Sequence, residues 1–117
     1  MSSIRNEDLK ITLSDRPSGA RLIRLHGPLT MTTLFDFQDT IRQDRTRAIL
    51  LDVTDVPYMD SAGLGCIISA FVSCQGSQRG FAMFGISDRI QALLDLTRVS
   101  DLMPCFASLE DAEAKTS

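Results

Sequence analysis

Ala48-Ile49-Leu50-Leu51-Asp52-Val53, followed after a short gap by Met59-Asp60-Ser61-Ala62-Gly63-Leu64-Gly65, is the stretch whose reading decides the fold. The first six residues are, Asp52 apart, an apolar run, short enough for a buried strand and rich enough in branched side chains to prefer one. Beyond the gap the period changes. Leu64, Ile67, Ile68, Phe71 and Val72 recur at i, i+3, i+4, i+7 and i+8, as in a helix with one face on a sheet. Strand, loop and helix therefore follow one another, and the loop ends in a serine at a helix N-terminus, beside backbone N–H groups that lack intrahelical partners.

Working outward toward the N-terminus, Leu9, Ile11 and Leu13 alternate with Lys10 and Thr12, the period-two pattern of a half-buried strand. Asp15-Arg16-Pro17-Ser18-Gly19 is a turn, and Arg21–His26 is a second strand ended by Gly27-Pro28, so the two are predicted to pair as an antiparallel hairpin. Thr30 or Thr33 can cap the next helix, with Asp36 three residues after Thr33 as in a capping box, and Leu34, Phe37 and Ile41 form its buried stripe. Toward the C-terminus the central helix closes near Gly76, and Phe81–Gly85 reads as a strand. Ser87 caps a third helix carrying Ile90, Leu93, Leu94 and Thr97. A piece of strand near Cys105-Phe106 precedes a terminal helix started by Ser108 and Asp111 and carrying Leu109 and Ala112. The order predicts an α/β fold: a small mixed β-sheet, an N-terminal antiparallel hairpin with later strands parallel, packed against about four helices. Residues 1–117 are expected to form a single domain, with residues 1–6 a flexible polar start.

Composition removes several function classes. A net charge of −3 over 117 residues argues against nucleic acid as a partner, and the one local basic cluster, Arg42, Arg45 and Arg47, reads as a helix end and its turn. Cys66, Cys74 and Cys105 are odd in number, lack CxxC spacing and share the chain with a single histidine, His26, so neither a metal site nor a disulfide framework is expected, nor any cofactor. With no apolar leader and no run long enough to span a bilayer, the expected localisation is cytoplasmic.

Three readings compete for Ser61. The plainest is capping: Asp60 or Ser61 accepts hydrogen bonds from the first helical turn, while Gly63 and Gly65 permit close approach of neighbouring strands. Nucleophilic catalysis by a small serine hydrolase is the remote alternative. The nucleophile elbow needs glycine two residues before the serine, where this chain has Met59; His26 lies upstream, and Lys10 and Lys115 sit near opposite ends. The protein is therefore read as no enzyme. The third reading is phosphorylation of Ser61 by a separate kinase, since a helix N-terminus tolerates an added dianion. At 100° per residue, Cys66, Ser69, Ala70 and Ser73 fall opposite the apolar stripe, and no charged residue occurs from Ser61 through Gln78. Such a face is either a smooth docking strip continuous with Ser61 or a surface covered by a second layer or a homodimer contact.

Taken together, Leu51-Asp52-Val53-Thr54, Asp60-Ser61-Ala62-Gly63-Leu64-Gly65, Phe84-Gly85-Ile86-Ser87, Leu93-Leu94-Asp95-Leu96-Thr97, Met103-Pro104 and Ser108-Leu109-Glu110-Asp111-Ala112 resemble the STAS domain family of bacterial anti-sigma factor antagonists. The resemblance covers nearly all of the chain. It implies that Ser61 is the acceptor for a partner Ser/Thr kinase that doubles as anti-sigma factor, that the unphosphorylated form binds, and that a phosphatase restores it. Asp60, Ser61, Ala62, Gly63 and Gly65 would then join Cys66, Ser69, Ala70 and Ser73 in partner binding. The rival within the family is a constitutive STAS subunit of a transport or stress-signalling assembly, with Ser61 unmodified. Two positions depart from the family pattern: Thr30 stands where an Asp is frequent, and Arg98 where a glycine suits a left-handed helix C-cap.

Overall fold

A computed structural model describes residues 8–116; the expectation of a flexible start at residues 1–6 lies outside the described residues. In chain order the elements are β1 (Lys10–Asp15), β2 (Arg21–His26), α1 (Leu34–Gln43), β3 (Ala48–Asp55), α2 (Ser61–Gly76), β4 (Gly80–Phe84), α3 (Asp88–Leu96), β5 (Cys105–Phe106) and α4 (Leu109–Thr116). The five strands form one sheet in the order β1-β2-β3-β4-β5, with β1 and β2 antiparallel and every later neighbour parallel. This is the mixed α/β sheet with four helices that the sequence predicts.

The apolar run Ala48–Leu51 that opens β3 has a direct cause: the strand is covered on both faces. Ile49, Leu51 and Val53 point into a core shared with Phe37 of α1, Leu64 and Ile67 of α2, and Ile90 and Leu94 of α3. Ala48 and Leu50 point the other way, toward Leu22, Ala82, Phe84 and Ala112 of α4. Ala48 through Leu51 are fully buried, and each large side chain so placed contributes about 1.5–3 kcal/mol.

With only eight residues, α4 is too short to persist in water on its own. An ionic clasp fixes it to the β1–β2 turn. The Arg16 guanidinium lies 2.9 Å from Glu113 Oε1, the Ser18 hydroxyl donates to Glu113 Oε2 at 2.8 Å, and Arg47 donates to the carbonyls of Ser18 and Thr116. Arg45 donates to the carbonyls of Arg42 and Asp44, so Arg45 and Arg47 of the basic cluster are taken up by the fold.

Two local expectations are corrected. Thr33 stands at the N-cap of α1, but its hydroxyl donates to Pro28 O (2.8 Å) and accepts the Thr30 N–H (2.9 Å), so it stabilises the preceding turn and caps nothing. α2 does close at Gly76, as the sequence predicts, although Gly76 is not the residue that turns the chain. The left-handed residue is Gln78 (φ 59°), two positions on, and the Arg79 N–H returns to Cys74 O at 2.8 Å. Val72, assigned to the buried stripe, is 57% exposed. The caps read at Ser87 and Ser108 are present: their hydroxyls accept the N–H groups of Ile90 (3.2 Å) and Asp111 (3.1 Å).

Candidate functional site

Two loops meet at the start of α2. Between β2 and α1, Leu29 donates its N–H to Tyr58 O (3.2 Å) and accepts the Asp60 N–H (3.3 Å), and Leu29 forms an isolated parallel bridge with Met59. The second loop is thereby held against the first. Asp60 supplies the remaining connection. Its backbone is extended (φ −99°, ψ −177°), as an N-cap requires; Oδ1 accepts the Gly63 N–H at 2.8 Å and Oδ2 accepts the Met31 N–H at 3.0 Å. One carboxylate thus caps α2 and ties down the loop that leads into α1.

The electrostatics follow from those bonds. Desolvation raises the Asp60 pKa, but the N–H groups of Gly63, Met31 and Ala62, with its own, outweigh it and hold the carboxyl below its ordinary value. Asp60 is therefore an anion at neutral pH, and the cap belongs to Asp60, not Ser61. Ser61 occupies the first helical position, exposed, and its hydroxyl makes no hydrogen bond among the described residues.

The two glycines differ sharply. A Cβ on Gly63 would lie 2.1 Å from Leu29 O, so absence of a side chain there is what lets α2 seat against the β2–α1 loop. Gly65 is exposed and a Cβ there would meet nothing within 4 Å, so its expected role in close approach is overturned. Ala62 is half-buried against the core.

The expected strip along α2 also divides. Ser69 and Ser73 are exposed, but Cys66 and Ala70 are buried, because α1 packs across that side of the helix. A second layer covers part of the face, and the small residues are there to admit it. What remains is a groove of about 230 Å³ between α1 and α2, lined by Gln38, Ile41, Arg42, Cys66, Ser69, Ala70 and Ser73. Burial pushes the Cys66 thiol up, against a smaller opposing contribution from Gln38, so it remains protonated.

Two residues beside Ser61 escaped sequence reasoning. Met31, whose N–H is held by Asp60, is 65% exposed, and Tyr58 is partly exposed with the Arg89 guanidinium 5.7 Å above its ring. Their signal was an apolar residue outside any periodic stripe, which is legible only once the loops are placed. The hydrolase constellation does not assemble: His26 hydrogen-bonds with Thr12 Oγ1 (3.3 Å) and Asp55 Oδ2 (3.1 Å), leaving Ser61 without a base partner among the described residues.

A STAS domain model matches residues 13–112, which contain every element around this site. The chain belongs to the STAS domain family. Within it the chain is of the anti-sigma factor antagonist type. An anti-sigma-B factor antagonist of Staphylococcus aureus is 32% identical over 84 residues, covering 69% of this chain and 78% of that protein. Among solved structures, an anti-sigma factor antagonist from Mycobacterium paratuberculosis superimposes with a TM-score of 0.86 at 19% identity, covering 96% of this chain and 97% of the other. The Bacillus cell fate determinant SpoIIAA in its phosphorylated form gives a TM-score of 0.70 at 17% identity, covering 92% of this chain and 100% of the other. At such identities these structures show that the STAS fold is shared. No helix among the described residues is long and apolar enough to cross a membrane.

Proposed function

We propose that this STAS protein is a cytoplasmic, phosphorylation-switched binding regulator. Its unphosphorylated form binds a Ser/Thr kinase that acts as an anti-sigma factor, phosphate on Ser61 releases it, and a phosphatase restores it. The protein works by binding and carries out no chemistry itself. The observation that supports this reading best is the Ser61 hydroxyl, exposed and without a hydrogen bond among the described residues, on a helix start that Asp60 ties to the neighbouring loop.

Exposure makes the hydroxyl reachable by a kinase. A dianion there is stabilised by the positive end of the helix, so the fold survives phosphorylation. A partner seated on Met31, Tyr58 and the first turn of α2 would bury that charge beside the Asp60 carboxylate, and both effects oppose docking. Phosphate then switches affinity without changing shape.

Protein isolated from its native cells is expected to include a fraction one phosphate heavier, with the modification on Ser61. Ser61→Ala should abolish that fraction and bind the kinase constitutively. Because Asp60 is the cap, the substitution should shift stability by no more than about 0.5 kcal/mol. Undiminished phosphorylation of the alanine variant by the cognate kinase, or equal affinity of the two forms in calorimetry, would refute the proposal.

A further inference from the structure

The sheet has two ends, and they are treated differently. At one, β5 is two residues long, and α4 follows it directly. At the other, β1 runs six residues, pairs only with β2 among the described residues, and leaves its outer backbone edge open. Edge strands are ordinarily blunted by a proline, a bulge or a central charge. This strand has no proline and no bulge, its charges stand only at its two ends, Lys10 and Asp15, and its pairing with β2 is regular between them. Beside the open edge, Leu13 is 49% exposed, and Phe35 on α1 is 63% exposed. Phe35 and Leu9 line a hollow of about 370 Å³ between the start of β1 and α1.

We infer that β1 pairs antiparallel with β1 of a second copy of this chain, joining two five-stranded sheets into one across a two-fold axis at Thr12. The occupant is set by the strand's own complementarity. A two-fold axis normal to the sheet keeps the α1 side of both copies on one face, so directly opposed residues must share a face. Ile11 and Leu13 sit opposite Leu25 and Ile23 of β2, whose side chains enter the α1–α3 core, whereas Ser14 sits opposite Leu22, on the α4 side, as does Thr12 by alternation. Pairing about Thr12 satisfies this rule. It sets Ile11 against Leu13 twice on the α1 side, where exposed Leu13 gains an apolar neighbour, and at both ends it sets Asp8 against Arg16, whose bonds to Glu113 use Nε and Nη2 and leave Nη1 for a second carboxylate. The adjacent allowed register, centred on Leu13, sets Lys10 against Arg16 at both ends and is disfavoured by like charge. The one centred on Ile11 leaves Asp8 facing Ser14 and gains no ion pair. Charge therefore selects one register of this strand with itself. This inference does not depend on the role of Ser61.

Cysteine cross-linking of the full-length protein tests it. Two Thr12 Cα atoms at the axis would be about 4.5–5.5 Å apart, within disulfide reach. Under mild oxidation Thr12→Cys is expected to give a covalent dimer on a non-reducing gel, while Ser14→Cys, which faces Lys10 of the other copy, is not. Both sites are exposed, so folding is retained, as circular dichroism will verify, and wild type controls for Cys66, Cys74 and Cys105. Sedimentation of wild type should show concentration-dependent dimerisation that Thr12→Lys, placing two cations face to face, weakens at least tenfold. A wild-type protein monomeric up to millimolar concentration, as for an edge that serves a foreign peptide, overturns the proposal. So does cross-linking through Ser14→Cys as efficient as through Thr12→Cys.

Discussion

The backbone N–H of Met31 donates to the Asp60 carboxylate at 3.0 Å, across a gap of 29 residues in sequence, while the other oxygen of the same carboxylate caps α2. One side chain therefore sets both the start of the helix that carries Ser61 and the position of the loop beside it. Asp60→Ala should lose the cap, about 1 kcal/mol, and free the Met31 loop as well. Urea denaturation is expected to show the stability loss, and amide exchange at Met31 should quicken. Asp60→Asn, which keeps one acceptor oxygen, should recover part of the cap but only one of the two bonds. An alanine variant with unchanged exchange at Met31 would mean that the loop is held by Leu29 alone.

Gly63 and Gly65, two residues apart in one motif, should respond in opposite directions to alanine. At Gly63 the new Cβ would press on Leu29 O from 2.1 Å, a backbone atom that cannot step aside, and a loss of about 1–3 kcal/mol is expected. At Gly65 the space is open and the backbone helical, so alanine should gain about 0.5–1 kcal/mol by limiting the unfolded chain. Thermal melts of the two variants decide this. If Gly65→Ala also abolishes kinase binding, the open space at Gly65 is where the partner sits.

How far the sequence reached can be judged from these same residues. Apolar spacing found β1, β3 and α1 through α3, because β3 is buried on both faces and α1 and α3 on one, and burial is what such spacing encodes, whereas α4 was legible from the cap at Ser108. Asp60 and Ser61 were legible as a helix start because capping is local. The strip on α2 was only half right: one helix's geometry shows which residues lie opposite its stripe, but nothing in it reveals that α1 would cover Cys66 and Ala70 and leave Ser69 and Ser73 exposed. Ala70→Glu, harmless on a free face, would here force a carboxylate against α1. Met31 and Tyr58 stayed hidden for a related reason: their place beside Ser61 arises from the Leu29–Met59 bridge, a contact between loops that no local pattern specifies.

Acid should loosen α4 before the rest of the fold. Hydrogen bonding from Arg16, then from Ser18, holds the Glu113 carboxyl below its ordinary value of 4.5. A depressed folded-state pKa contributes stability that is fully present above the unfolded value and is lost as pH falls through the folded one. The clasp should therefore act undiminished at neutral pH and fade from about pH 4.5 downward. Glu113→Gln should be less stable than wild type at pH 7 and approach it near pH 3. Denaturation curves at the two pH values give the check; a difference independent of pH would show that shape, not charge, joins Glu113 to the turn.

The C-terminus of α3 offers the last prediction, and it concerns a family glycine that this chain lacks. Arg98 lies in the left-handed region at φ 61°; its N–H donates to Asp95 O (3.2 Å), and the Val99 N–H donates to Leu94 O (2.9 Å), the two bonds of a Schellman ending. Val99 and Leu94 are both buried in one core, so the hydrophobic contact that accompanies such endings is present too. Everything that ends the helix is in place except the residue that does so without strain. A left-handed L-residue costs about 1–2 kcal/mol, and glycine's greater freedom in the unfolded chain returns about half of that. Arg98→Gly should then stabilise the protein by about 0.5–1 kcal/mol, and Gln78→Gly, at the equivalent position after α2 with φ 59°, by a similar amount. The two endings are separate, so the gains should add. Chemical denaturation of both single variants and the double settles the matter. A loss of stability in Arg98→Gly would mean that the arginine side chain contributes more to the fold than its backbone strain removes.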